Sequence, residues 1–223
     1  MLETVKRQLQ AALRGKELQL RINDNRSNML SVRWDGTVAR VSLHRLFLDA
    51  PPTVMDQLAC YIGGEATQLP YLVRRYMDEA IEQLDYSDRV DIKRLKTQGT
   101  YYDLLLLYEE VSHSQFGHRL PLHISWFGQK GRARPSAHRT LGLFYAPTKL
   151  IKVHSCLDTP LVPEYVLSYV IYHEMLHYIS PPYYDVKGNH QIHSQEFVRR
   201  EQLFPYYESA RDWISTHQQL LFD

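Results

Sequence analysis

The sequence predicts an α+β fold in two parts, and three patterns predict it. Alternating apolar and polar residues, the mark of half-buried strands, cluster over residues 17–43 and again over 122–154. Segments with apolar residues three and four apart flank both clusters. The longest, 163–180, is an apolar helical segment interrupted by His173, Glu174 and His177.

At 223 residues the chain can form one sizeable domain or two small ones, with ample core. Residues 2–14 read as a short amphipathic helix stopping near Gly15. Segments 17–22, 29–34 and 37–43 read as strands, separated by the turn-rich Asn23-Asp24-Asn25-Arg26-Ser27-Asn28 and by the hairpin signal Asp35-Gly36. They predict a small antiparallel sheet. Pro51-Pro52 leads into a helix over about 53–62, stopped by Gly63-Gly64, and a second helix covers about 70–84. The charged, mixed segment 86–99 is expected to connect the two parts. An N-terminal α+β region would then occupy 1–95 and a second domain 96–223.

From Tyr101 the helical period returns, with Tyr101, Leu104, Leu105, Tyr108, Ser112 and Phe116 on one face of a helix ending at Gly117. After Pro121 the period changes to two. Leu122, Ile124 and Trp126 mark one strand, Leu141, Leu143 and Tyr145 a second, and Ile151 and Val153 a third. The first two are expected to form a hairpin around 128–139, a loop carrying Lys130, Arg132, Arg134 and Arg139. It reads as a solvated loop, with a phosphate-contacting finger as the alternative.

The helix over 163–180 follows. Pro163 suits a first turn, Asp158 or Thr159 could cap it, and Val166, Leu167, Val170, Ile171 and Leu176 recur at helical spacing. Pro181-Pro182 prevents its continuation. Residues four apart share a helical face, so His173 and His177 can aim two imidazoles at one cation, with Glu174 beside a metal-bound water. That is the zincin arrangement. A metal also supplies a reason to bury three polar groups, since an unpaired buried charge costs several kcal/mol. Beyond it, an irregular stretch leads to helices over about 194–203 and 206–220, and no internal repeat is legible.

Composition narrows the remaining possibilities. Lys plus Arg number 26 against 25 Asp plus Glu, a net charge of +1, so no global field recruits nucleic acid. Cys60 and Cys156 are the only cysteines, which excludes a cysteine zinc ribbon and argues against a disulfide framework. No run reaches the length of a membrane span and no signal peptide pattern opens the chain, so a cytoplasmic protein is expected.

A catalytic zinc site needs three protein ligands and an open fourth position. Downstream of His177 the available ligand types are Asp185, His190, His193 and Glu196. His173-Glu-Met-Leu-His177 followed by His193-Ser-Gln-Glu-Phe197 resembles the SprT-like and YgjP-like group of zinc metallopeptidases, in which a His-small-x-x-Phe element supplies the third ligand. The resemblance covers about residues 100–210, including the order of three strands followed by the active-site helix. It implies a zincin-like metallopeptidase domain, a sheet of three or more strands packed on that helix, and zinc on His173, His177 and His193. Glu174 would be the general base and a protein or peptide the substrate. Oxyanion donors would come from Tyr183, Tyr184, Tyr206, Tyr207 or His217, and a substrate strand would lie along 149–155. Two other readings stand beside it: a zinc-binding scaffold with an inactive site, and a SprT-type protease acting on DNA-bound proteins through the basic loop.

Overall fold

The computed structural model describes residues 2–25, 28–128, 140–185 and 189–222, and the chain is mixed α and β as expected. It divides into two compact units, Met1–Leu84 and Asp85–Asp223. The expected boundary after residue 95 falls inside the second unit because the preceding segment is tied there. The Tyr86 N–H donates to the Pro147 carbonyl at 2.5 Å, and Lys149 pairs with Asp85 at 2.6 Å.

The first unit contains α1 (Leu2–Ala12), β1 (Glu17–Asn23), β2 (Leu30–Asp35), β3 (Val38–His44), α2 (Pro52–Gly63) and α3 (Tyr71–Glu82). Strand alternation puts Leu18, Val41 and Leu43 into a core with Leu9, Phe47, Leu58 and Ile62. The Asp35-Gly36 turn joins β2 and β3 as an antiparallel hairpin, with Gly36 at φ 58°. β1, however, pairs with β3 in parallel, so the sheet is mixed, in the order β1-β3-β2. The expected all-antiparallel sheet fails because β3, the most buried of the three, takes the central position.

The second unit contains α4 (Leu104–Phe116), β4 (His123–Phe127), β5 (Gly142–Tyr145), β6 (Leu150–His154) and α5 (Glu164–Ile179). It ends in β7 (Tyr183–Tyr184), β8 (His190–Gln191), α6 (Gln195–Glu201), α7 (Tyr207–Thr216) and α8 (Gln218–Phe222). The expected last helix is thus two, parted at His217. The unit's sheet has the order β4-β6-β5, with β4 parallel and β5 antiparallel to β6. The expected β4–β5 hairpin does not form, because β6 is buried on its inner face and lies between them. Of the basic loop, Lys130, Arg132, Arg134 and Arg139 lie outside the described residues.

The two units therefore repeat one plan: a helix, three strands with the third in the centre, a short 3-10 turn and a second helix. Even the turn opens alike. His44 Nδ1 accepts from the Leu46 N–H, and His154 Nδ1 from the Cys156 N–H, both at 3.1 Å.

α4 begins later than its expected face. Asp103 caps it by accepting from the Leu105 and Leu106 N–H groups, and Leu104, Leu107, Tyr108, Val111 and Ser112 form the buried stripe. Tyr101 and Leu105 are exposed. α5 packs through Val166, Leu167, Val170, Ile171 and Leu176 in a core shared with Ile124, Trp126, Ile151 and Val153.

Neither Asp158 nor Thr159 caps α5; Pro163 stands at its N-cap. Asp158 is buried and its carboxylate accepts from the backbone N–H groups of Thr100 at 2.6 Å, Tyr101 at 2.8 Å and Tyr102 at 3.2 Å. Gly99 permits that approach, since a Cβ there would lie 2.6 Å from Asp158 Oδ1. Asp158→Ala strands three N–H groups and is expected to cost about 3 kcal/mol. Thr159→Ala is expected to stay within about 0.5 kcal/mol. Denaturant midpoints of the two variants check the contrast.

Candidate metal centre

The helical repeat places Tyr169, His173 and His177 on successive turns of one face of α5. His193 arrives from the chain just before α6, where Ser194 caps the helix by accepting from the Phe197 N–H at 3.0 Å. The ring centres of His173, His177 and His193 stand 5.1 Å apart in all three pairs. One nitrogen from each lies within 4.8 Å of the others, the sole such group among the described residues. A tetrahedral ion bound to three imidazoles at about 2 Å separates ring centres by about 5 Å. These three residues could therefore hold a metal ion. Phe197, fully buried, lies against all three rings at 5.1, 4.8 and 4.5 Å, so it fills one side of the triangle.

His173 is held from behind. Its Nδ1 donates to Glu201 Oε1 at 2.7 Å, and the Tyr169 hydroxyl donates to the same oxygen at 2.8 Å. That bond places the ring proton on Nδ1 and leaves the Nε2 lone pair for an ion. Burial works against the Glu201 carboxylate, but the two hydrogen bonds outweigh it and hold its pKa below the usual range. Burial, then the neighbouring His173 and His193, push His177 down to about 4. Burial and His173 lower His193 as well. Neutral imidazoles are what a cation requires.

No family model, curated protein or solved structure matches this chain. What the centre can do follows from its own geometry.

Glu174, next to His173, is 5% exposed, and burial pushes its carboxyl up to about 7 although the charge of His173 pulls the other way. It lies directly against β5: a Cβ on Gly142 would stand 2.4 Å from Glu174 Oε1. β5 is an edge strand, whereas 149–155, expected to receive a substrate strand, includes the central β6 with both sides paired. The Leu141 carbonyl accepts from the His154 N–H at 2.8 Å. By antiparallel alternation Leu143 and Tyr145 face β6 too, and the backbone groups of Gly142 and Phe144 point out from the sheet.

The other candidates have contacts elsewhere. The His190 ring packs on Tyr184 at 4.8 Å, Asp185 accepts from Asn189 and Gln191, and Glu196 pairs with Arg199 and Arg200. Tyr206 packs on Tyr165, the Tyr207 hydroxyl accepts from Arg211, and His217 stacks on Trp213. Tyr183 is exposed on β7. Three residues went unforeseen: Glu201, Gly142 and Tyr169. Only Tyr169, four residues before His173, carried a signal in its spacing.

Glu201→Gln weakens the hold on His173 and is expected to lower metal affinity about 10–100-fold, read by titration against a competing chelator. Glu174 also sets a pH dependence in the metal-free protein. Its folded pKa of about 7 exceeds the unfolded 4.5, so wild type loses stability as pH rises between those values. Glu174→Gln is expected to match wild type below pH 4.5 and to exceed it above pH 7 by roughly 3 kcal/mol, at about 1.4 kcal/mol per pH unit. Thermal unfolding at the two pH values tests this.

Proposed function

We propose that this chain is a zinc-dependent metallopeptidase of the SprT-like and YgjP-like kind, with a zincin-like catalytic domain. One observation carries the reading: three imidazoles equally spaced at 5.1 Å, with the buried carboxyl of Glu174 adjacent to one of them in sequence. Bound at His173, His177 and His193, zinc would supply Lewis acidity to a water and to a scissile carbonyl.

The chain's own groups do the rest. Glu174 takes the proton of the attacking water and returns a proton to the leaving amine, a double role that a pKa near 7 suits. Glu201 and Tyr169 keep the His173 ring in one tautomer and orientation. Gly142 lets the edge strand approach Glu174, and the outward backbone groups of Gly142 and Phe144 offer an extended peptide a strand to pair with. The substrate on this reading is an unfolded or extended protein segment. Among the described residues Cys60 and Cys156 form no disulfide, which suits a cytoplasmic location, and no helix is long and apolar enough to cross a membrane.

Glu174→Gln is expected to lower peptide cleavage at least about 100-fold while retaining one bound metal per chain. His193→Ala is expected to lose the metal itself, measured by elemental analysis. Cleavage by Glu174→Gln at the wild-type rate would overturn the assignment of the base. A wild-type protein that holds zinc yet cleaves no peptide would favour the scaffold reading.

A further inference from the structure

β5 and α5 run in step beside the metal centre. Glu174 and Tyr178, one turn apart on α5, meet Gly142 and Phe144, two residues apart on β5. A Cβ on Gly142 would stand 2.4 Å from Glu174 Oε1, and the rings of Phe144 and Tyr178 lie edge to face with centres 6.2 Å apart. Four residues of helix rise about 6 Å and two residues of strand about 6.6 Å, so the two contacts repeat at one spacing. The first sets a carboxyl at the edge strand, and the second sets a pair of aromatic rings one step along it.

Phe144 is the open member of its row. Its cross-strand partner on β6, Ile151, is fully buried, and Ile124 beyond it on β4 is buried as well. Phe144 and Tyr178 are only partly buried, packed on the core without being enclosed by it. Among the described residues no strand pairs with the other side of β5, so the uncovered part of Phe144 lies toward that free edge. A peptide added there puts alternate side chains on the α5 face, each beside the β5 residue it opposes, with Cβ atoms about 5 Å apart. The side chain opposite Gly142 meets Glu174. The one opposite Phe144, two residues away, meets two rings.

We propose that Phe144 and Tyr178 form a side-chain subsite of the metal centre, which takes an aromatic or large aliphatic residue of an extended peptide and thereby sets where the chain is cut. The proposal rests on the peptidase reading and deepens it. The substrate class is the apolar segment of an unfolded protein, since such side chains are mostly buried in a folded one.

The test uses short peptides rich in Ser and Thr, each with a single Phe moved along the chain, and the Phe-free sequence as reference. With zinc-loaded wild type the cut is expected to move with the Phe, at a fixed distance from it. With Glu174→Gln, which binds without cutting, the Phe peptides are expected to bind about tenfold more tightly than the reference. Phe144→Ser or Tyr178→Ala, each added to Glu174→Gln, is expected to remove most of that difference; a ratio of two affinities does not depend on the fraction of protein that is folded. No cleavage of any peptide would overturn the peptidase reading. Equal binding of the Phe and reference peptides, or a preference unchanged in both double variants, would overturn the subsite with or without cleavage. A cut that stays in place as the Phe moves would overturn its role in choosing the bond.

Discussion

Three imidazoles stand around one point because a half-buried carboxylate grips one of them from outside and an aromatic ring supports all three. Glu201, itself held by Tyr169, accepts the hydrogen bond of His173 Nδ1–H, while Phe197 occupies the space under the triangle. The burial this packing produces acts twice. It disfavours charge on any group it encloses, so the same loss of solvent that lowers His177 and His193 raises Glu174. Imidazoles that resist protonation and a carboxyl able to exchange a proton near neutrality are two results of one cause.

The sheet decides what stands next to that carboxyl. With β6 in the centre, β5 is left at the edge nearest α5, and Gly142 brings its backbone against Glu174 where any side chain would collide. The first unit has the same strand order and the same helix after the third strand. Its α2 buries Met55, Leu58, Ala59 and Ile62, with no histidine or carboxylate among them. The shared plan is a way to pack a helix on a three-stranded sheet, and the three-histidine group that could hold a metal ion stands on one copy of it.

Much of the centre was legible before any coordinates. The spacing of His173 and His177 within one helix fixes their common face, and Ser194 and Phe197 mark the start and the anchor of the helix that brings His193. These are local relations governed by helical geometry and capping, which act within a few residues. Strand existence was legible for the same reason, since alternation is local, and all six main strands fall close to their expected positions.

Strand partnership was not. The parallel pairing of β1 with β3, the central place of β6, the clamp of Asp158 on Thr100, Tyr101 and Tyr102, and the grip of Glu201 on His173 all join residues remote in sequence. The sequence by itself determined most of the helices, the strands and the pair of histidines one turn apart. The tertiary structure brought His193, already favoured over His190 by the resemblance, beside that pair, and it alone supplied Glu201 and put Gly142 against Glu174. The physical reason is that backbone periodicity is written into neighbouring residues, whereas the desolvation and contacts that set a site's chemistry arise only when distant segments pack.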